Sequence, residues 1–262
     1  MEFTSKPLRL DWGKELPKYY VDNNVFKTHF FNALSITFPT GENFFVESVK
    51  AVRDKVDDNK LLQDIDTFIK QENWHSYTHD QYNIWLSKQG IPFKHLEDRF
   101  FKQLNFIKQP LTNKQKLTTT VCIEHMSTLI TVYLLTYPEI LNSMDPHFQQ
   151  VWIWHSIEEI EHKSVAMDAL NATCTFTMNL RRLNMIFTTC IATWVIFSTV
   201  WSLLKADRQL WKWQTFKDAT SFMFNKNNGL IRKSFKFWFN FMTYNFHPNN
   251  HDHTDLLKKY SK

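Results

Sequence analysis

Apolar residues recur every three to four positions over most of the chain, the period of a helix with one buried face. Such stretches cover residues 24–35, 42–56, 60–88, 93–108, 113–136 and 146–173. The breaks between them carry stop and start chemistry. Phe38-Pro39-Thr40-Gly41 reads as a break with Thr40 as the N-cap of the next helix. Asp57-Asp58-Asn59 makes a polar link, and Gly90 with Pro92 closes the long stretch before it. Asp145-Pro146 pairs an N-cap with a proline at the first helical position. Four of these helices are long enough to span a bundle, which predicts an all-α fold. Residues 1–22 show no period.

The pattern changes after residue 180. Residues 185–204 run for twenty positions without a formal charge, preceded by Arg181 and Arg182 and followed by Lys205. That length suits a bilayer span, and it also suits a helix buried against the domain or lying on a membrane surface. Beyond it, aromatic residues from Trp211 to Phe241 alternate with lysines, a mixture found at membrane interfaces and on amphipathic helices alike. The expected organisation is an extension with a short helix over 1–37, a helical core over 38–180, and hydrophobic or aromatic-basic helices over 181–262. These last helices pack on the bundle or on a membrane.

Composition narrows the reading. Only four glycines occur in 262 residues, too few for a sheet protein rich in tight turns. Three cysteines in no metal-finger spacing argue against a disulfide framework, and a reducing cytoplasm fits them best. The first residues contain no apolar run of the secretory kind. The net charge of +5 comes with no nucleic-acid-binding motif, so no nucleic-acid partner is expected.

Four helical stretches carry carboxylates or imidazoles among apolar neighbours. Glu72 and His75 lie three apart and share a helix face, and His79 follows one turn later. His155, Glu159 and His162 form a single stripe at i, i+4 and i+7. Glu47, in Phe44-Phe45-Val46-Glu47-Ser48-Val49, and Glu124, in Val121-Cys122-Ile123-Glu124, each offer one further carboxylate. A lone Glu-x-x-His is usually a solvated helix face, and a lone glutamate in an apolar run is usually an edge residue. Two such pairs and two single glutamates, alternating along the chain, form the ligand pattern of dinuclear carboxylate bundles. The chemistry explains the pattern. Buried carboxylates repel one another and are costly to desolvate. Two divalent cations offset four of them, and neutral imidazoles complete the coordination. Oxygen and nitrogen donors without thiolate favour iron or manganese. His79 and Glu158 are additional candidates, Glu158 as a substitute for Glu159. His125 points to another face. Asp168 is placed to orient a ligand imidazole.

The segments FPTGENFFVESV, FIKQENWHSYTHDQYN, CIEHMSTLITVYLL and WIWHSIEEIEHKSVAMDAL resemble the bacterial predicted metal-dependent hydrolases of the ferritin-like superfamily, over residues 38–207. The stripe His155-x-x-x-Glu159-x-x-His162 is also similar in spacing to the ligand helix of di-iron arylamine N-oxygenases. Together the resemblances imply metal ligands Glu47, Glu72, His75, Glu124, His155, Glu159 and His162. Two iron ions, with manganese as the other choice, and a small organic substrate are expected, but the resemblance in ligand spacing carries no substrate over. The expected chemistry is oxidation or oxygenation with O₂ and an unidentified electron donor. A two-metal hydrolase and a non-catalytic metal-binding or membrane-associated bundle are the alternatives. A homodimer and contact with the inner face of a membrane through 185–204 complete the expected partners.

Overall fold

The computed structural model describes residues 6–91, 93–174 and 178–260; the expected stop at Pro92 lies outside them. Among the described residues the fold is all-α. The first helix, α1 (Val25–Arg53), is followed by α2 (Asn59–Lys88), α3 (Phe93–Lys108) and α4 (Asn113–Thr136). A single turn, α5 (Glu139–Asn142), leads into α6 (Pro146–His162) and α7 (Val165–Thr173). The tail contains α8 (Met178–Ala206), α9 (Trp213–Phe224), α10 (Leu230–Asn240) and α11 (Thr254–Tyr260). The helix starts are capped by side chains. Asn24, Asp58 and Asp145 each accept a backbone N–H of the first turn, and Thr112 forms a capping box with Gln115.

Two expected boundaries are wrong. Residues 24–56 do not form two helices, because α1 runs unbroken through Pro39. A proline inside a helix frees the carbonyl four residues earlier. Here that carbonyl, on Ser35, accepts a hydrogen bond from Asn83 Nδ2 of α2 at 2.9 Å, so the helix continues. Thr40 is therefore an interior residue and not a cap. The helix opened at Pro146 does not run to Thr173 either; it breaks at Lys163 and Ser164. Both residues turn to the tail instead, Lys163 Nζ donating to the His251 carbonyl and Ser164 Oγ accepting from Asn249 Nδ2.

Four helical rods, α1, α2, α4 and α6–α7, make the bundle, and α3 is the long crossover between α2 and α4. Two apolar clusters fill it. One holds Phe31, Tyr82, Trp85, Leu134, Phe148 and Trp152. The other holds Val49, Ile65, Phe68, Leu117, Val121 and Val165. Rods α1 and α6–α7 pass from the first cluster to the second, whereas α2 and α4 pass the opposite way. Each rod carries its ionisable residues between the two, so the polar centre sits at a waist in the apolar core. Helix α8 covers α1 and α4 with one face, burying Met185, Val195, Val200 and Leu203.

A buried carboxylate and histidine centre

The waist gathers Glu42, Glu72, His75, His79, Glu124, His155, Glu158, Glu159 and His162, all buried. Glu42 takes the place expected for Glu47. The unbroken α1 sets its phase: Glu42 shares a stripe with Phe45, Val46, Val49 and Val52. Glu47 lies on the outer face, 59% exposed, and pairs with Lys108 at 2.8 Å. The register of Glu42 with the apolar stripe at 45, 46, 49 and 52 was the signal in the sequence; the supposed break at Pro39 hid it.

Two overlapping half-sites emerge. In one, Glu72, Glu124 and His162 bring a donor atom each within 4.8 Å of one another. His162 Nε2 lies 3.1 Å from Glu72 Oε1 and 3.4 Å from Glu124 Oε2. In the other, His75, His155 and Glu159 converge, with Glu42 reaching Glu72 and His75. Glu159 Oε1 is the hub, 3.3 Å from His155 Nε2, 3.7 Å from His75 Nδ1 and 3.8 Å from His162 Nε2. Glu72 and Glu159 thus face both half-sites.

Hydrogen bonds behind the centre set which ring nitrogen faces inward. Gln71 Nε2 donates to Glu161 Oε2, so its Oε1 must accept from His162 Nδ1, 3.1 Å away. His162 then presents Nε2 to the two carboxylates. A longer chain does the same for His155. Asn83 gives its amide hydrogen to the Ser35 carbonyl, leaving its Oδ1 to accept from Ser35 Oγ at 2.9 Å. Ser35 Oγ can then only accept from His79 Nδ1, at 3.0 Å. His79 Nε2 accepts in turn from His155 Nδ1 at 3.3 Å, which points the Nε2 lone pair of His155 at Glu159. Both nitrogens of His79 are engaged, so it orients His155 from behind. Its proximity to Glu42 and His155 does not make it a donor to the centre. Glu158 also lies behind a ring, its Oε2 3.2 Å from His75 Nε2, whereas Glu159 occupies the hub. Such outer contacts fix the tautomer and basicity of metal-binding imidazoles.

The electrostatics of these side chains among themselves are unfavourable. Eleven side-chain nitrogens and oxygens of Glu42, Glu72, His75, Glu124, His155, Glu158, Glu159 and His162 are buried without a hydrogen-bond partner. Unsatisfied groups of this kind are rare and costly. Burial, reinforced by neighbouring carboxylates, pushes the Glu42 carboxyl far above its usual range and Glu124 up to about 7. Burial raises Glu72 in the same direction. It raises Glu158 to about 8. Burial acts to lower His162, but the facing carboxylates of Glu124 and Glu72 override this and raise it well above the usual imidazole range. Lone pairs and carboxylates aimed at common points are what cations require, so the donors fit metal ions.

The remaining candidates lie elsewhere. His125 donates from Nε2 to the Phe237 carbonyl and stacks on the Phe237 ring. Asp168 contacts His247 at 2.8 Å, so it orients a tail residue and not a ligand imidazole. Trp152 packs the core beside Phe31, and Trp154 lies edge-on to His75 and donates to the Lys6 carbonyl.

Comparisons with curated proteins and with solved structures returned no match. A family model described as predicted metal-dependent hydrolase matches residues 4–252, nearly the whole chain and more than the 38–207 expected from the motifs. With buried Glu and His groups spaced to hold metal ions, the chain belongs to the predicted metal-dependent hydrolase family.

Proposed function

We propose that the chain is an enzyme built on a dinuclear carboxylate centre, with iron as the metal and the oxidation of a small organic molecule by O₂ as the reaction. The observation that carries this is the converging donor set: Glu42, Glu72, Glu124 and Glu159 with His75, His155 and His162, all oxygen and nitrogen, in two half-sites sharing Glu72 and Glu159. Glu42 replaces Glu47 in the ligand set. The passage of the four rods, with one long crossover, is similar to that of ferritin-like bundles and supports the same reading.

A pair of iron ions, when bound, supplies the electrons to reduce dioxygen and the Lewis acidity to polarise it. The chain does the rest. Four carboxylates offset the cationic charge, and Gln71 and the Asn83–Ser35–His79 chain hold two imidazoles with Nε2 inward. The apolar clusters on either side exclude bulk water, which suits a small apolar co-substrate. A surface groove of about 560 Å³, lined by Pro39, Asn43, Tyr77, Asp80, Ile84 and Phe101 of α1, α2 and α3, is our choice for the organic substrate. Ser76 links the groove to the centre, its hydroxyl donating to Glu42 Oε2 at 3.0 Å and lying 3.5 Å from the carbonyl of Pro39, a lining residue.

The test begins with protein purified without oxygen and loaded with ferrous iron. Metal analysis should give a pair of ions per chain, and mixing with oxygenated buffer should give oxygen uptake and a visible absorption change. No uptake would overturn the oxidative reading. The family description favours a second one, hydrolysis by metal-activated water. Turnover of ester or phosphoester panels with manganese or zinc, without oxygen or reductant, would establish it in place of the first.

A further inference from the structure

Helix α8 buries one face against the bundle and leaves the other open. Leu183, Phe187, Cys190, Trp194, Phe197 and Trp201 are all exposed and follow one another at alternating steps of four and three, a continuous seam. The seam extends at both ends. Trp211, 86% exposed, packs edge-on to Trp201 with ring centroids 5.7 Å apart. On the other side, Trp238 of α10 donates its indole N–H to Thr189 Oγ1 of α8 at 2.9 Å. Exposed Phe235 stacks on Trp238.

Charge distinguishes this face from the rest of the molecule. Residues 178–246 contain ten lysines and arginines against two acidic residues, Asp207 and Asp218, although the whole chain has 31 against 26. The remaining residues are therefore net acidic. Asp207 is already matched by Lys18, Tyr19 and His29, so the positive excess stands uncompensated. Lys205, Lys212, Lys217, Arg232, Lys233 and Lys236, on α8, α9, α10 and the turn between α8 and α9, are all exposed, and the Lys217 ammonium lies over the ring of exposed Trp213.

We infer that this face, formed by α8, the turn after it, the exposed side of α9 and α10, binds an anionic lipid surface and lies in its plane. Aromatic rings seat in the headgroup region while basic side chains reach the lipid phosphates and carboxylates. A second copy of the chain would bring two strongly basic faces together, so charge favours lipid as the occupant. Crossing the bilayer is disfavoured by the other face of α8. Arg99 of α3 donates to Thr199 and Ser202 there, and the core residues Met185, Val195 and Leu203 tie it to the bundle.

The test is co-sedimentation of the full chain with phosphatidylcholine vesicles and with mixed phosphatidylcholine–phosphatidylserine vesicles. Binding should be stronger to the mixed vesicles by on the order of ten-fold or more, and raised salt should release it. The pair Trp194→Glu and Trp201→Glu, and separately the pair Lys212→Glu and Lys217→Glu, should each lose binding while keeping the circular dichroism of the parent. Equal binding to neutral vesicles, or no binding to anionic ones, would overturn the inference. So would concentration-dependent dimerisation abolished by the same pairs, which would assign the face to a second copy. Retention in membranes after alkaline extraction would overturn the in-plane orientation. The metal-free protein should bind the same vesicles, which separates this test from that of the reaction.

Discussion

Glu42 and Glu47 stand five residues apart on one helix, about 140° around its axis, so only one can face the waist. Glu42→Gln should lower the bound metal below a pair per chain, whereas Glu47→Gln should leave it unchanged; metal analysis after dialysis decides. The side chains behind the centre make a second prediction. Asn83→Ala strands the Ser35 carbonyl and frees the Ser35–His79–His155 chain to reorient. Stability should fall by about 1–3 kcal/mol in denaturant titrations of metal-free protein. Metal affinity should fall by roughly ten- to a hundred-fold. Much of this centre was legible residue by residue. The meeting of Glu72 with His75, and of His155 with Glu159 and His162, follows from helical spacing, because a stripe on a helix has one direction; Glu124 was read from its apolar neighbours, the same ground that misplaced Glu47. The roles of His79 and Glu158 were not legible, because donor and orienting residues share a stripe and differ only in what lies behind them. Ser35, Gln71 and Asn83 carry no spacing signal, since each acts through a partner far away in the chain.

At the scale of elements, the helix limits of α2, α3 and α4 agree with the periodicity that predicted them. The two errors, at Pro39 and at Lys163, share a cause. In both places a partner from another element decides whether backbone groups are satisfied, and local sequence cannot show it. The end of α8 gives another such joint. Asp207 accepts from Lys18, from Tyr19 Oη at 2.7 Å and from His29 Nε2 at 3.0 Å, tying the N-terminal segment and α1 to the tail. Burial opposes ionisation of this carboxyl, but those hydrogen bonds hold it well below the usual aspartate range. A depressed carboxyl stabilises the fold above its unfolded value of about 4 and loses that contribution as pH falls through the folded value. Asp207→Asn should therefore cost roughly 1 kcal/mol at neutral pH, a figure moderated by solvent around the joint. The gap between parent and variant should close below about pH 4. Thermal melts across that range would show the sign; a gap that widened in acid would be inconsistent with the joint.

For the whole molecule, metal and fold are linked through the waist. Cations that bind only the folded chain stabilise it by mass action, so chelation should lower the melting temperature. Glu124→Gln offers a sharper reading. In metal-free protein it relieves repulsion from Glu159 but also removes a partner of His162, so the net change by calorimetry should be small. In metal-loaded protein the same change should be destabilising, because a ligand is gone. A loss of equal size in both states would mean that Glu124 serves the fold and not the centre. The waist also bears on the fate of the chain. Two apolar lobes are joined through a ring of groups that repel or go unpartnered when no cation is there. Unloaded chains should therefore open at their middle, expose phenylalanine and tryptophan to proteases, and be cleared first. Metal supply would then set how much of the protein persists, and the population that survives would be the one already charged for work.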